Sequence, residues 1–569
     1  MKSFYLKRAL LFATVAILVY GMSRPPAAEG TWLWCLWLAA LPAGYLAFAE
    51  IPLRLRVSKI QRSLQTLTVI MALGFGMLTL ELLREQVIWS QDIAEAVAVN
   101  AETGETSSNV RAVMAANRVH RGVIRDRNGT VVVDTTVAAD GTTARSYPVD
   151  QPAAFAPVVG FVSPRYGVSG VEATYGDYLS GTRNPLGQLF RLFRDDTVRG
   201  DDVELTIDGQ LQQAVYGLLG DRVGSVVVLN PRTGAVLALA STPSYDPRDL
   251  TPDRAVDRLV DQQRIDANWQ RLLAADADQP LLNRALQGRY APGSTFKIVT
   301  AAAALEHAGI ARPDDITCPN ELQSEPGAPP VVNAVPNLAA MTGEPASLRS
   351  VVAFSCNTAF AQYALRLGAA RLASSAERFG FVTPTNPNTA VTMADLPMQT
   401  STLYVDDGFL TRAAALADTG FGQGQLLVTP LQMALVAAAV ANDGVVMQPF
   451  VVQRVVNQQD AALYTHITRP VRRAVSSLNA VRLRDAMRYA VTDGFGAAAQ
   501  HQGVISVAGK SGTAENPTGI PHAWFIAYAP AENPRFAVAV MLEYGGEGSN
   551  AGAALAGQVL AAAAQTVAP

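Results

Sequence analysis

The segment YAPGSTFK, residues 290–297, places a serine and a lysine three positions apart, directly after a proline–glycine pair. Proline followed by glycine is typical of a turn, whereas the run IVTAAAALEHAG that follows is a good helix former. We therefore expect Ser294 to open a helix and Lys297 to lie one turn further along the same face. Unpaired backbone N–H groups and the positive end of the helix dipole would suit a nucleophile there. An N-cap serine followed by a solvated lysine is the commoner explanation of a single S-x-x-K.

Composition and hydropathy set limits on the class of protein. The 569 residues are enough for two or three domains, and 45 basic against 48 acidic residues give no footprint for nucleic acid. Three apolar segments, at about 4–22, 31–49 and 64–83, each approach the roughly 20 residues that cross a bilayer. A cleaved signal peptide fits the first segment, but no clear cleavage site closes it, so three retained transmembrane helices are favoured.

Flanking charges predict the orientation of these segments. Basic residues lie at the start of the first segment, and the loop between the second and third carries a basic cluster at 54–62. Because basic loops stay in the cytoplasm, the N-terminus and this loop are expected on the cytoplasmic side of the cell membrane. Everything beyond about Trp89 is then predicted to be extracytoplasmic.

The exported part shows strands towards both ends and helices between them. Strand–turn–strand patterns fall at 121–133 and 225–242, and two more strands are expected in AWFIAYAP and RFAVAVMLEY. Helical patterns fall at 348–367, 430–441 and 551–566. This order favours an α+β or mixed α/β fold.

Proline and alanine interrupt these patterns between residues 314 and 341, which indicates a surface loop or insertion. Cys318 lies in this stretch and Cys356 beyond it, and an oxidising compartment would allow the two to form a disulfide. Two free buried thiols fit the sequence at least as well, so the pairing stays open.

Two further motifs follow the S-x-x-K segment. An S-x-N falls at Ser355 and Asn357, in FSCNTAF, and a K-S-G-T falls at 510–513, in VAGKSGTAE. Each motif is weak alone. An S-x-x-K, an S-x-N and a K-T-G-like motif in this order are the combination found in penicillin-binding proteins and related serine β-lactamases.

Flanking segments extend this similarity: NRALQGRYAPGSTFK, GSVVVLNPRTGAVLALASTPSYDP, GQGQLLVTPLQMALVAAAVANDG and PHAWFIAYAP. From about Arg121 onward, the chain resembles class B penicillin-binding proteins, which are monofunctional peptidoglycan D,D-transpeptidases, and RGVIRDRNG resembles their pedestal motif. The resemblance implies a central antiparallel sheet flanked by helices. It also implies a membrane region over 1–89, a pedestal or dimerisation-like domain over 90–200 and a transpeptidase domain over 201–569.

The resemblance assigns catalytic roles to the first two motifs. Ser294 is the expected nucleophile, since a serine hydroxyl needs a neighbouring base to attack. Lys297 can be that base if burial and nearby cations lower the pKa of its amine, although the identity of the base is disputed among relatives. Ser355 would pass a proton to the departing D-alanine amine. Asn357 can contact a peptide backbone and steady Lys297.

The third motif is expected to bind the substrate terminus. Lys510, on an edge strand, would tune Ser355 and attract the carboxylate of a D-Ala-D-Ala peptide, which the Ser511 and Thr513 hydroxyls also bind. Gly512 would let the peptide approach the strand backbone closely. The N–H groups of Ser294 and Thr513 would form the oxyanion hole, each donor contributing about 3 kcal/mol.

We predict a membrane-anchored, β-lactam-sensitive D,D-transpeptidase that acylates Ser294 with a donor stem peptide and transfers the acyl group to an acceptor amine. A β-lactamase or β-lactam sensor is the alternative enzyme, and a catalytically silent cell-wall scaffold is the alternative outside enzymes. No cofactor or metal is expected, because the five histidines are scattered and no metal-ligand spacing occurs. His522, in PHAWF, is expected to be structural or near the site entrance.

The resemblance also implies a partner. Nothing between the third apolar segment and Arg199 looks like a glycan-polymerising domain. The expected partner is therefore a polytopic membrane glycosyltransferase of the shape, elongation, division and sporulation family. Most class B proteins carry a single membrane helix, and three segments here would be a departure.

Overall fold

The computed structural model describes residues 2–24, 29–49, 59–89, 98–99, 106–107, 119–183, 199–274, 276, 278–500, 505–516 and 519–567. The chain divides into two compact units, one over 1–119 and 182–198 and the other over 120–181 and 199–569. Part of the predicted cytoplasmic basic cluster, 54–58, lies outside the described residues.

In the first unit, each predicted apolar segment is helical. The helices are α1 (Lys2–Met22), α2 (Glu29–Ala49) and α3 (Lys59–Leu83), and a π-helical turn, Arg84–Ile88, follows α3. Among the described residues, one segment, Thr66–Leu83, has both the length and the hydropathy to cross a membrane. The prediction of three transmembrane helices stays a prediction.

The strands of the described residues form one five-stranded sheet, one six-stranded sheet and four two-stranded pairs. They are β1 (Ala98–Val99), β2 (Thr106–Ser107), β3 (Ile124–Arg125), β4 (Val131–Val137), β5 (Thr143–Ser146), β6 (Val162–Ser163), β7 (Gly167–Val168), β8 (Asp202–Leu205), β9 (Gly224–Leu229), β10 (Val236–Thr242), β11 (Glu321–Leu322), β12 (Val331–Val332), β13 (Val445–Met447), β14 (Val452–Val456), β15 (Ala462–Thr465), β16 (Pro470–Arg473), β17 (Ala508–Ala514), β18 (His522–Ala529) and β19 (Phe536–Leu542).

The α-helices of the second unit lie between and after these strands. They are α4 (Pro152–Val159), α5 (Gly170–Thr174), α6 (Gly176–Leu179), α7 (Gly209–Leu219), α8 (Arg258–Leu273), α9 (Lys297–Glu306), α10 (Ala308–Ala311), α11 (Ala339–Thr342), α12 (Leu348–Ala353), α13 (Asn357–Leu367), α14 (Ala369–Phe379), α15 (Ala413–Gly420), α16 (Pro430–Ala441), α17 (Ser477–Thr492) and α18 (Ala553–Thr566). Asp208 caps α7 by accepting a hydrogen bond from Leu211 N.

The central sheet of the second unit is antiparallel throughout, in the order β10-β9-β19-β18-β17. Alternate side chains of a strand point to opposite faces. Val226 and Val228 of β9 pack on the side of α7 and α18, and Val227 and Leu229 pack on the side of α16. Because both faces are covered, every residue of β9, β10 and β19 is buried. The predicted antiparallel sheet flanked by helices is confirmed.

A second sheet joins the predicted pedestal to the rest of the unit. Its order is β15-β14-β8-β3-β4-β5, so strands from before residue 200 pair with strands from after it. The buried carboxylate of Glu172 forms ion pairs with Arg145 at 2.5 Å and Arg121 at 2.8 Å. This sheet crosses the predicted domain boundary at 200–201, and that boundary stays a prediction.

Two segments near the active site differ from the simple sequence patterns. The predicted helix at 348–367 is two helices, α12 and α13, separated by residues 354–356. The predicted insertion at 314–341 contains the β11–β12 hairpin and the short helix α11. Cys318 and Cys356 form a disulfide, which answers the question that the sequence left open.

Candidate active site

Ser294 and Lys297 lie where the chain turns into α9. Gly293–Phe296 is a 3-10 turn, and Lys297 is the first residue of the α-helix, so the α-helix begins about one turn later than predicted and Ser294 lies in the 3-10 turn that leads into it. The side chain of Ser294 is partly exposed, whereas Lys297 is fully buried. Within the described part of the chain, the Ser294 hydroxyl makes no hydrogen bond. It therefore faces no competing partner as a nucleophile.

The serine turn is fixed by close backbone contacts on two sides. Gly293 has φ +53°, and its N–H donates to the carbonyl of Gly422 at 3.1 Å. A Cβ at Gly293 would lie 2.4 Å from Thr513 O, and one at Gly422 would lie 1.9 Å from Gly293 O. Only glycine allows both this conformation and this approach. The turn that carries Ser294 is thus wedged between β17 and the segment after α15.

The S-x-N motif occupies the gap between α12 and α13. Ser355 has φ +55°, a left-handed conformation that is rare for serine and that clusters at functional sites. Lys297 Nζ donates to Ser355 O at 2.7 Å and lies 3.1 Å from Ser355 Oγ. It also lies 2.6 Å from Asn357 Oδ1. The helix break thus directs a carbonyl, a hydroxyl and a carboxamide at one amine.

The K-S-G-T motif lies on β17, which is the edge strand of the central sheet, as predicted. Lys510 is buried, and its Nζ donates to Ser355 Oγ at 2.9 Å and to Ser511 O at 2.8 Å. Ser355 Oγ therefore lies between the amines of Lys510 and Lys297. The structure brings the predicted residues of all three motifs to one site.

Burial controls the charge of the two lysines. It lowers the pKa of Lys297 well below its usual range, and the neighbouring charge of Lys510 lowers it further. Burial also lowers the pKa of Lys510, to about 7. Among the described residues neither amine forms an ion pair with a carboxylate, so nothing compensates a second positive charge. The site therefore favours a neutral amine at Lys297.

Hydrogen-bond capacity then fixes the direction of a proton path. A neutral amine has two N–H groups, and the Ser355 carbonyl and Asn357 Oδ1 can only accept. When Lys297 is neutral, its lone pair can accept the proton of the Ser355 hydroxyl, 3.1 Å away. That hydroxyl in turn accepts from Lys510 Nζ. The arrangement is a chain of three groups that can pass one proton between the two amines.

The remaining residues of the third motif lie along the same strand. Ser511 is buried, Thr513 is partly exposed, and Thr513 Oγ1 accepts from Gly548 N at 3.3 Å. A Cβ at Gly512 would lie 2.8 Å from Thr295 Cγ2 and 2.9 Å from the Pro292 carbonyl. Glycine is thus required at 512 for packing β17 against the serine turn.

The sequence missed the groups that orient Asn357. Its Nδ2 donates to the carbonyl of Val332, on β12, at 2.8 Å. Asn333 caps the start of α13 by accepting from Thr358 N at 3.2 Å. A backbone carbonyl leaves no residue-type signal, and the only signal in the sequence was Cys318, which pairs with Cys356 beside the motif.

A second polar cluster supports the segment before Ser294. Tyr290 donates to Glu543 Oε1 at 2.7 Å, and Arg284 Nε donates to the same oxygen at 2.7 Å. The Tyr290 ring packs edge-on against His522, whose Nδ1 accepts from Tyr544 N at 3.1 Å. Among the described residues, no group of three His, Cys, Asp or Glu side chains could hold a metal ion.

Two protein-family models match separate parts of the second unit. Residues 224–565 match the penicillin binding protein transpeptidase domain family, and residues 121–203 match the penicillin binding protein A dimerisation domain family. The peptidoglycan D,D-transpeptidase PbpA of Mycolicibacterium smegmatis is 39% identical over 436 residues, which are 73% of this chain and 82% of the relative. PbpA of Mycobacterium tuberculosis is 37% identical over 447 residues, 74% of this chain and 84% of the relative.

Solved structures share the fold. The penicillin G acyl-enzyme complex of penicillin-binding protein A from M. tuberculosis superposes with a TM-score of 0.68 at 34% identity, covering 78% of this chain and 99% of that chain. A D,D-transpeptidase domain from Eggerthella lenta superposes with a TM-score of 0.65 at 34% identity, covering 79% and 99%.

Proposed function

The chain belongs to the penicillin-binding protein transpeptidase family, and we propose that it is a peptidoglycan D,D-transpeptidase whose nucleophile is Ser294. One observation carries the proposal: Lys297 and Lys510, both buried, meet on the hydroxyl of Ser355 beside the serine turn. This arrangement supplies a base, a proton path and a positive charge. A relative with the same fold has been captured as a penicillin G acyl-enzyme.

Acylation begins with attack of Ser294 Oγ on the carbonyl carbon of the penultimate D-alanine. The neutral amine of Lys297 takes the hydroxyl proton as the C–O bond forms. For this step the Ser355 hydroxyl turns its own proton away, which frees the lone pair of Lys297. The proton then returns through Ser355 to the leaving amine, so that D-alanine departs neutral at nitrogen and the acyl-enzyme remains.

Two other groups of contacts position the substrate in this proposal. The N–H groups of Ser294 and Thr513 bind the oxyanion, each contributing about 3 kcal/mol. β17 is an edge strand of its sheet, and a peptide can add to such an edge through main-chain hydrogen bonds. Lys510, Ser511 and Thr513 bind the terminal carboxylate. An acceptor amine then attacks the acyl carbon from the same side. As the new amide bond forms and the ester bond to Ser294 Oγ breaks, the proton of the amine passes by the same path to Ser294 Oγ, so that the cross-linked peptide leaves and the serine hydroxyl is restored.

We propose that the enzyme is anchored in the cell membrane with its second unit outside the cytoplasm. Thr66–Leu83 supports a membrane anchor.

We also propose a polytopic membrane glycosyltransferase of the shape, elongation, division and sporulation family as the partner that makes the glycan strands. In α3, a Cβ at Gly74 or Gly76 would meet no atom within 4 Å. Replacing both with leucine should weaken co-purification with the polymerase while penicillin labelling persists, and full retention of the partner would move the docking surface elsewhere.

Labelling with a fluorescent penicillin tests the function. The wild-type chain should label once, and the modified peptide should contain Ser294. Ser294→Ala should not label, whereas Thr295→Ser, one residue away, serves as the matched control and should label. The label should persist on a transpeptidase, because its penicilloyl-enzyme hydrolyses slowly. A β-lactamase would instead lose the label, because it hydrolyses the acyl-enzyme and turns over repeatedly. Stoichiometric labelling of folded Ser294→Ala would remove this residue from the mechanism.

A further inference from the structure

A hairpin segment, residues 318–333, lies against the S-x-N motif. Its two strands pair only at Glu321 with Val332 and at Leu322 with Val331. A paired segment this short does not hold its own shape in water. Its conformation must therefore come from its contacts with the rest of the unit.

The contacts nearest Asn357 are made with the first turn of α13. Cys318 is bonded to Cys356, the N-cap residue of α13, and both are fully buried. Asn333 Nδ2 donates to the carbonyl of Pro319 at 2.8 Å and to Thr358 Oγ1 at 3.3 Å. Asn333 Oδ1 accepts from Thr358 N at 3.2 Å. The hairpin segment thus closes on itself and caps α13 through the same side chain.

The hairpin segment also fixes which end of the Asn357 carboxamide faces Lys297. The Val332 carbonyl can only accept, so the amide group placed 2.8 Å from it must be NH2. The amide oxygen is then left for Lys297 Nζ, 2.6 Å away. Without Val332 O the carboxamide could rotate and present its NH2 group to the amine. Lys297 would lose an acceptor and its position towards Ser294.

We propose that the Cys318–Cys356 disulfide makes the hairpin segment a positioning element for Asn357 and, through it, for Lys297. Cys318 and Asn333 are then positioning residues of the transpeptidase, and the inference rests on the proposed function. The bond ties the hairpin to residue 356, between Ser355 and Asn357. Because both sulfurs are fully buried, the disulfide acts as a permanent tie in the folded enzyme.

Penicillin acylation kinetics of the full-length chain in mild detergent test this proposal. Cys318→Ala removes the disulfide, and Asn333→Ala keeps it while removing the cap of α13. Both should label Ser294 to the wild-type stoichiometry, with the acylation rate constant lowered at least about tenfold because the catalytic groups are misplaced. The dissociation constant of the initial penicillin complex should stay within about twofold. The stoichiometry reports the folded fraction, and the rate constant reports only folded enzyme.

Glu325→Ala is the matched control. Glu325 Oε2 accepts from Ala414 N at 3.1 Å and so anchors the far end of the same hairpin segment, away from Asn357. Its acylation rate constant should equal that of the wild type. An unchanged rate constant in Cys318→Ala, or equal slowing of all three variants, would overturn the proposal. If Cys318→Ala does not fold, Asn333→Ala decides alone. Absence of labelling in the wild type would instead contradict the proposed function.

Discussion

The two sides of the active site are held by different kinds of structure. On one side, here called the regular side, Lys510 and Gly512 lie on β17, whose register with β18 is fixed over seven residue pairs, and the serine turn packs against this strand at Gly512. On the other side, here called the break side, Ser355 lies in a helix break, and Asn357 depends on a hairpin with two residue pairs and on one disulfide. Many small regular contacts therefore fix one side, whereas a few long-range contacts fix the other. Substitutions on the two sides should therefore differ in how much they lower the acylation rate constant.

The largest effect is expected at Lys297, which contacts the break side and serves the nucleophile. Lys297→Arg keeps a positive charge, but a guanidinium stays protonated and cannot accept the serine proton. Acylation by penicillin should fall by about 10²–10⁴-fold, the usual contribution of proton transfer. Stopped-flow measurement of the acylation rate constant checks this. Near-wild-type acylation would leave Lys297 with an electrostatic role and would make Ser355 the better candidate for the base.

A steric change on the regular side should come next. Gly512→Ala places a Cβ 2.8 Å from Thr295 Cγ2 and 2.9 Å from the Pro292 carbonyl, so β17 must shift away from the serine turn. A displacement of about 1 Å at the reacting groups lowers acylation by about 10²-fold. Gly217→Ala is the control, since no atom lies within 4 Å of its Cβ and its helix α7 is remote from the motifs. Equal acylation rate constants for the two variants would show that β17 on the regular side accommodates the extra Cβ without displacing the catalytic groups.

The pH dependence distinguishes the two lysines. The pKa of Lys510 is lowered by burial to about 7, so its amine is charged below this pH and neutral above it. Because the charge attracts the substrate carboxylate, kcat/KM should fall by up to about tenfold per pH unit above about pH 7. Lys297 acts in the opposite direction, since the base must be neutral and its protonation removes activity as pH falls. Lys510→Arg should abolish the alkaline fall, and a rate that rises steadily to about pH 9 contradicts the assignment.

The regular side of the site could be predicted from the sequence because its signals are local. A turn pair before an alanine-rich run located the serine turn, and alternating apolar strands located the central sheet. The serine turn and the strands depend on neighbours along the chain, which sequence patterns record directly. The edge-strand position of Lys510 was instead implied by the family resemblance, and the structure has it there.

The S-x-N motif predicted the residues of the break side, but the conformation and the contacts that hold them could not be predicted, for physical reasons. Ser355 adopts φ +55° although serine gives no signal for a left-handed residue, so the pattern at 348–367 resembled one helix. The orienting partner of Asn357 is the backbone carbonyl of Val332, which any residue type could supply. Each strand of the hairpin that presents it has two residues, too few for a periodic pattern. Only three-dimensional contacts reveal how this half of the site is held.

The smallest effect on acylation is expected where the regular side has contacts to spare. Tyr290 lies four residues before Ser294 and donates to Glu543 Oε1 at 2.7 Å. Burial and then Glu543 raise the pKa of the Tyr290 phenol, so it stays a donor. Tyr290→Phe leaves Glu543 paired with Arg284 at 2.7 Å.

The free energy of unfolding of Tyr290→Phe should therefore fall by about 1–2 kcal/mol. The acylation rate constant should change less than about threefold, because β17 and Gly422 still hold the serine turn. Chemical denaturation and penicillin acylation of the same preparation measure both. A loss of acylation above about tenfold without a loss of stability would mean that a single contact positions the regular side too, and the contrast between the two sides would fail.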